Sequence, residues 1–294
     1  LKIRITGISG YLGKSISEEL QKNGHEVLGI TRKLIYGSLA TLSKEIEGTD
    51  VVINLAGAPI LQRWTERKKI FIYESRVRTT RNLIAAINAL PKEKQPKKLI
   101  SASAIGIYKS GFLHDESSSN FDEGFVGKVV KDWENATSEL PEHIQKNIFR
   151  IGLVLGKNAK TITNLLLPFK LGLGATIGNG KQSFPFVHEK DVIRAFVWAV
   201  NDFDKSETFN FVAPENITNK EFTKAFAKAL NRPAIFSIPG FVLKMVLGEA
   251  AILLTQSPEV EPRNLIANGF KFEFPGIKEA LVEILNTKTS TLVI

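Results

Sequence analysis

Short apolar runs alternate with stretches of helical spacing through the first half of the chain. Lys2–Thr6, Val27–Thr31, Val51–Leu55, Lys98–Ser101 and Asn147–Arg150 read as strands, apolar enough to be buried on both faces. Between them, 11–23, 38–47, 65–90 and 123–140 carry apolar residues at helical period. This βαβ alternation predicts an α/β fold, a Rossmann-type doubly wound parallel sheet covered by helices on both faces. After Leu155 the texture changes. Residues 170–185 are rich in glycine (Gly172, Gly174, Gly178, Gly180), and a strand at 184–187, a helix at 191–200 and a strand at 209–212 follow. Thr218 and Glu221 have capping-box spacing, and the pattern from Pro214 onward is mostly helical. The organisation expected is a Rossmann domain of 1–157 plus 187–213, and a smaller, mostly helical substrate-covering lobe of 158–186 plus 214–294. The longest apolar stretch, 240–254, is interrupted by Lys244 and Glu249. It is shorter than the ~20 residues a spanning helix needs and reads as a buried or half-buried helix.

Composition narrows this little. There is no cysteine, which excludes disulfides, thiolate metal sites and a cysteine nucleophile. No His/Asp/Glu group has metal-ligand spacing. No leader is visible ahead of the first strand, and a cytoplasmic protein is expected. The net charge of +9 comes from lysines scattered without interleaved aromatics. A solvated basic surface is therefore expected, with no nucleic acid or membrane partner.

Gly7-Ile8-Ser9-Gly10-Tyr11-Leu12-Gly13 follows the first strand and opens the first helix. In that context the glycines allow a tight turn, close approach of a pyrophosphate and close packing of helix on strand. The helix N-terminus supplies N–H groups and a favourable dipole to phosphate. Ser9, Tyr11 and Leu12 join Gly7, Gly10 and Gly13 as candidate cofactor contacts. The second strand ends Thr31-Arg32-Lys33, with no carboxylate where NAD sites hold the ribose. The Arg32 fork suits a 2′-phosphate, so the cofactor expected is NADP(H). Leu55, Ala56 and Gly57 at the third strand's end are small or apolar enough for a dinucleotide to pass; tight core packing is the open alternative.

Several stretches together resemble the epimerase-like subfamily of the extended short-chain dehydrogenase/reductases, related to nucleoside-diphosphate-sugar epimerases and cell-division-inhibitor-like proteins. They include ITGISGYLG, DVVINLAGAPI, ESRVRTTRNL, SASAIGIY, KDWE, RIGLVLG and LLLPFKLGLGATIGNGKQSFPFVHEKD. The resemblance implies cofactor contacts at Gly7, Gly10, Gly13, Thr31, Arg32, Leu55, Ala56, Arg76 and Leu153. It also places the family's catalytic serine at Ser103. The Tyr-x-x-x-Lys pair that normally moves the proton is missing: counting back from Trp133-Glu134 puts valines, Val126 and Val130, at the two positions.

Tyr108, Glu134 and His188 are the other titratable residues near this region. Tyr108 joins Ser103 as a catalytic candidate, with a packed aromatic as the alternative; Glu134 reads as a structural partner on its helix. The glycine-rich segment 171–186 is expected to cover the substrate cleft as a lid. In it Phe184 and Phe186 would form a wall, while Gln182 and His188 would orient an unidentified small-molecule substrate. The function expected is an NADP(H)-dependent oxidoreductase or epimerase-like enzyme. The alternative is a cofactor-binding sensor or partner-binding module without turnover.

Overall fold

A computed structural model describes residues 1–285. The first part contains β1 (Lys2–Thr6), α1 (Tyr11–Lys22), β2 (Glu26–Ile30), α2 (Arg32–Ile35), α3 (Leu39–Ile46), β3 (Val51–Asn54), α4 (Glu66–Glu74), α5 (Val77–Asn88), β4 (Lys98–Ala104), β5 (Leu113–His114), α6 (Phe125–Asn135) and β6 (Gln145–Ile151). The chain continues with β7 (Leu153–Leu155), α7 (Lys160–Lys170), β8 (Ala175–Ile177), β9 (Phe186–His188), α8 (Glu189–Asn201) and β10 (Glu207–Phe211). It ends in α9 (Asn219–Ala229), β11 (Phe236–Ile238), α10 (Gly240–Leu247), α11 (Ile252–Thr255), β12 (Glu259–Val260), α12 (Arg263–Ala267) and α13 (Ile277–Leu285).

Six strands form the parallel sheet, in the order β10-β6-β4-β3-β1-β2. The order reverses between β1 and β3, which is where open α/β sheets bind ligands beyond their strand C-termini. Ile3, Ile5, Val51, Ile53 and Phe149 are buried in one cluster with Ile16 and Leu20 of α1 and Val192 and Phe196 of α8. Val52 and Leu99 face the other way, onto Leu83 and Ile87 of α5. The alternation of side chains along each strand thus fills two cores, as a doubly wound sheet requires. A third cluster lies in the lobe, where Phe169, Phe184, Phe186, Phe222, Phe226 and Leu281 pack together.

Buried polar groups fasten these layers. Lys98 Nζ donates to the carbonyls of Ala199 and Phe203 at the C-terminal end of α8, where a cation complements the helix dipole. Asp191, fully buried, accepts from the backbone N–H groups of Glu273 and Phe274 at 2.8 and 2.9 Å and from Arg194. The expected capping box at Thr218 and Glu221 is present.

Two expected elements differ. The single helix over 65–90 breaks at Ser75–Arg76 into α4 and α5. There Ser75 Oγ accepts the Ala58 N–H and Arg76 turns inward to the Ala58 carbonyl, so the loop after β3 draws the helix apart. The segment 240–254 is not one buried helix: α10, a 3₁₀ turn and α11 divide it, and no residue of α10 is buried. The expected lobe segment 214–294 runs past the described residues from 286 on. Among the described residues no helix is long and apolar enough to cross a membrane, and no group of three or more His, Cys, Asp or Glu could hold a metal.

Candidate functional site

The turn after β1 is built from backbone fitted to backbone. Gly7 has φ +72°, and a Cβ there would lie 2.9 Å from the Leu55 carbonyl carbon and oxygen. A Cβ on Gly13 would collide with the Gly7 carbonyl. Thr6 holds the adjoining loop: its hydroxyl donates to Asn54 Oδ1 at 2.7 Å and accepts the N–H groups of Leu55 and Ala56, each at 3.2 Å. Asn54 in turn donates to Thr80 and Ser101. Ser9, Gly10, Tyr11 and Gly57 are exposed, and Ile8, Leu12, Leu55 and Ala56 half-buried, around this turn.

The N-terminus of α1 has no side-chain cap and no acid in its first turn. By contrast Thr31, Ser38, Thr65, His188 and Thr218 each cap the helix that follows them. The open N–H groups of α1 are the kind of cradle that suits phosphate.

Thr31 caps α2, which carries Arg32 at its start and not at a strand end. The Arg32 guanidinium stands 4.9 Å from the Phe71 ring centroid and 5.7 Å from that of Tyr36, and remains exposed. Two rings thus hold a free planar donor at the edge of the sheet. Arg78 approaches the other partner, 5.3 Å from the Tyr36 centroid. Arg76 lies deeper. Its guanidinium backs onto Gly57, donates to Ala58 O at 2.9 Å and Ile72 O at 3.2 Å, and sits 5.4 Å from the Trp133 centroid. Burial pulls its pKa down to about 10, and no carboxylate pairs with it among the described residues. Leu153 opens β7, its N–H bonded to the Pro185 carbonyl.

Val126 and Val130 lie four residues apart on α6, inside or against a cluster with Ile105, Ile107, Tyr108, Val212 and Val260. Val126 also closes on Gly106, where a Cβ would meet it at 2.7 Å. That surface is apolar. Ser103 and Tyr108 belong to one buried network beside it. Ser103 Oγ donates to Glu134 Oε1 at 2.5 Å, and Glu134 receives both Arg150 Nε and Nη2 at 2.8 Å. Arg150 Nη1 donates to the Tyr108 hydroxyl at 2.7 Å, whose single hydrogen is shared between Asn210 Oδ1 and Asp115 O. Burial lowers the Arg150 pKa, but the bonds to Glu134 outweigh it and hold the group above its ordinary value.

The catalytic role expected for Tyr108 therefore needs correction. The side chain is 1% exposed, and burial raises its pKa although Arg150 opposes the rise. It braces the turn after β4 to β6 and β10 and cannot meet a substrate. Ser103 is 4% exposed and spends its hydrogen on Glu134, so only a lone pair remains to be offered.

The lid segment is anchored at the expected edge, because β9 pairs with β7 just beyond β6. Its side chains point elsewhere. Phe184 stacks on Phe222 at 4.0 Å within the lobe core, together with Phe186. Gln182 donates to Ile177 O and Leu254 O. His188 is fully buried, accepting from Lys190 N and bonded to Glu283 at 3.0 Å, and burial pulls its pKa down. These four residues fasten the lobe and form no open pocket wall, a correction forced by the phenylalanine-rich interior that the lobe has to fill.

One residue escaped the sequence reading. Glu189, the first residue of α8, and the Tyr11 hydroxyl both stand directly against Gly156, where a Cβ would strike each of them. Burial raises the Glu189 pKa, with a bond to the Lys157 backbone opposing it. The HEKD run contained Glu189, but only the fold brings it to the glycine turn.

A model of the NAD dependent epimerase/dehydratase family matches residues 3–211, and one for a domain of unknown function (DUF1731) matches 238–284. Epimerase family protein SDR39U1 of Mus musculus is 33% identical over 294 residues, covering 97% of this chain and 100% of the relative. Epimerase family protein YfhF of Bacillus subtilis (strain 168) is 30% identical, covering 97% and 98%. The crystal structure of human epimerase family protein SDR39U1 (isoform 2) with NADPH is similar at a TM-score of 0.90 and 32% identity, covering 98% of this chain and 100% of that one. A nucleoside-diphosphate sugar epimerase from Corynebacterium glutamicum has a TM-score of 0.78 at 26% identity, covering 97% of this chain and 58% of the other.

Proposed function

The chain belongs to the NAD dependent epimerase/dehydratase family, and from that premise we propose that it binds NADP(H) and serves as an oxidoreductase or epimerase-like enzyme that works without a Tyr-x-x-x-Lys pair. The observation that carries the reading is the uncapped α1 N-terminus over the Gly7–Gly13 turn, with the exposed Arg32 guanidinium beyond β2. The NADPH held by the similar human protein supports the choice of cofactor. In this reading Gly7, Ser9, Gly10, Tyr11, Leu12 and Gly13 hold the pyrophosphate. Arg32 holds the 2′-phosphate, and Leu55, Ala56, Gly57 and Arg76 border the path between. The bound nicotinamide would supply hydride transfer.

With valines at 126 and 130 and Tyr108 locked away, the proton has to be handled elsewhere. Glu189 is the candidate that the fold adds: burial keeps its carboxyl closer to protonation, and it stands with Tyr11 beside the turn, on the side that this reading gives to the pyrophosphate. Carbonyl substrates offered with NADPH, followed at the nicotinamide absorbance, test this. Glu189→Gln should lower turnover by at least about 100-fold beyond any change in NADPH affinity. Undiminished turnover would remove Glu189 from the mechanism.

A second reading has its own support. The apolar surface of Val126 and Val130 suits a cofactor-binding sensor that no longer reacts. NADPH binding with no turnover on any carbonyl of the panel would favour it.

A further inference from the structure

A helix as apolar as α10, Gly-Phe-Val-Leu-Lys-Met-Val-Leu, belongs in a core, yet none of its residues is buried. Phe241 is 67% exposed and Met245 72%, and with a spacing of four they share one face; Val242 and Val246 repeat the pattern. The exposed apolar surface continues next to the helix. Ile235 and Phe236 lead into β11, which pairs with β8 and so places them beside the exposed Leu171 and Leu173.

Charge along the two stretches that carry this surface is mostly positive, although Glu221 and Glu249, the latter paired with Lys69, bound the second. Residues 157–188 hold Lys157, Lys160, Lys170 and Lys181 and no Asp or Glu. Residues 222–248 hold Lys224, Lys228, Arg232 and Lys244, again without an acid. The two stretches are fastened together: Arg232 Nε donates to Lys170 O at 2.8 Å and Ser237 Oγ to Gly178 O at 2.9 Å. Lys224, Lys228 and Arg232 line one surface hollow.

We propose that this face of the lobe, α10 with the Leu171–Leu173 and Ile235–Phe236 turns, seats on an anionic lipid surface. Its apolar side chains enter the boundary between headgroups and acyl chains, and its lysines and arginine face the lipid phosphates. Contact is peripheral, because α10 is far too short to cross. Charge also selects the occupant. A second copy docked by a two-fold axis would set these cations against themselves, whereas an anionic bilayer is complementary both to the patch and to the net charge of +9. The expectation of no membrane partner rested on the scatter of lysines along the sequence, with 240–254 read as a buried or half-buried helix; the fold leaves α10 without a buried residue.

Flotation of the whole chain with vesicles tests the proposal. Binding is expected to phosphatidylcholine vesicles containing phosphatidylglycerol, at least about tenfold weaker to phosphatidylcholine alone, and weakened by high salt. Phe241→Asp combined with Met245→Asp should lower binding to the mixed vesicles at least about tenfold. Its melting temperature and NADPH affinity should not change, because both side chains are exposed. Lys224→Glu combined with Lys228→Glu should lower binding by the electrostatic route alone. Equal binding to both vesicle types, binding to neither, or undiminished binding by either double variant overturns the proposal. So does a dimer that the Phe241/Met245 variant dissolves, which would assign the face to a second copy. Capture by polyglutamate without capture by the mixed vesicles would assign it to an acidic polypeptide and also overturn it.

Discussion

Replacing Glu134 by Gln isolates the brace that joins α6 to β6. The carboxylate receives two bonds from Arg150 and one from Ser103, and the Arg150 and Glu134 side chains are only 8% and 16% exposed. Removing one partner from a buried ion pair leaves the other charge uncompensated, at a cost of about 3–5 kcal/mol. The lower end applies, because Glu134 is not fully enclosed and the glutamine carbonyl still accepts a bond. Unfolding entropy is about 2.1 cal/mol/K per residue, or about 0.6 kcal/mol/K for a chain of 294 residues. A loss of about 3 kcal/mol therefore lowers Tm by about 5 °C. Circular dichroism melts of the parent, Glu134→Gln, Arg150→Met and the double variant Glu134→Leu/Arg150→Met measure it. The double variant should fall less than the sum of single-residue losses, because no charge is left stranded. A Glu134→Gln shift below about 1 °C, or strict additivity, would refute the reasoning.

Arg32→Ala should erase most of a preference for NADPH over NADH of roughly tenfold or more, the worth of a charge-assisted bond of about 1.5–3 kcal/mol; fluorescence titration with both dinucleotides reads it, and equal affinities in the parent would sink the assignment. Gly13→Ala forces a methyl into the Gly7 carbonyl, so NADPH affinity should drop at least about tenfold while the far-UV spectrum stays folded; an unchanged affinity would separate the turn from the cofactor. His188 is held neutral by burial, with its pKa below the ordinary 6.5. The unfolded chain then binds more protons as pH falls below that value, so stability is level above about pH 6.5 and declines beneath it. His188→Gln should flatten the decline in Tm between about pH 6.5 and 5, and an unaltered slope would remove His188 as its source.

The strands and the glycine turn were legible because both faces of a parallel sheet are apolar and because the turn's spacing follows from backbone geometry. The role of Thr6, Asn54 and Thr80 was not, since a buried hydroxyl or amide in a strand looks like any other until its partners are known. Arg32 was found as a donor, and Tyr36 lies four residues on at the end of the same helix, but Phe71, the nearer ring, comes from α4 and leaves no local signal. Tyr108 and His188 were read as chemistry because titratable residues near a cleft invite it. Their burial follows from long-range packing against Asn210 and Phe274, over 80 residues away in each case. The α10 stretch failed in the opposite sense: hydropathy predicted a buried or half-buried helix where most of α10 is exposed, with Leu243 and Leu247 half-buried.

The bonds of Asp191 to Glu273 and Phe274 bear on how this protein is made. The carboxylate is fully buried, and the two N–H groups that satisfy it lie more than 80 residues further along the chain. During synthesis α8 and the strands around it emerge long before that segment. Until it arrives, closing the sheet would bury a charge with only Arg194 beside it, an unfavourable state. A chain without the segment around residue 273 lacks two of the three groups that donate to the Asp191 carboxylate. A product cut short before residue 273 keeps the entire glycine turn in its sequence and still lacks the groups that let its core shut.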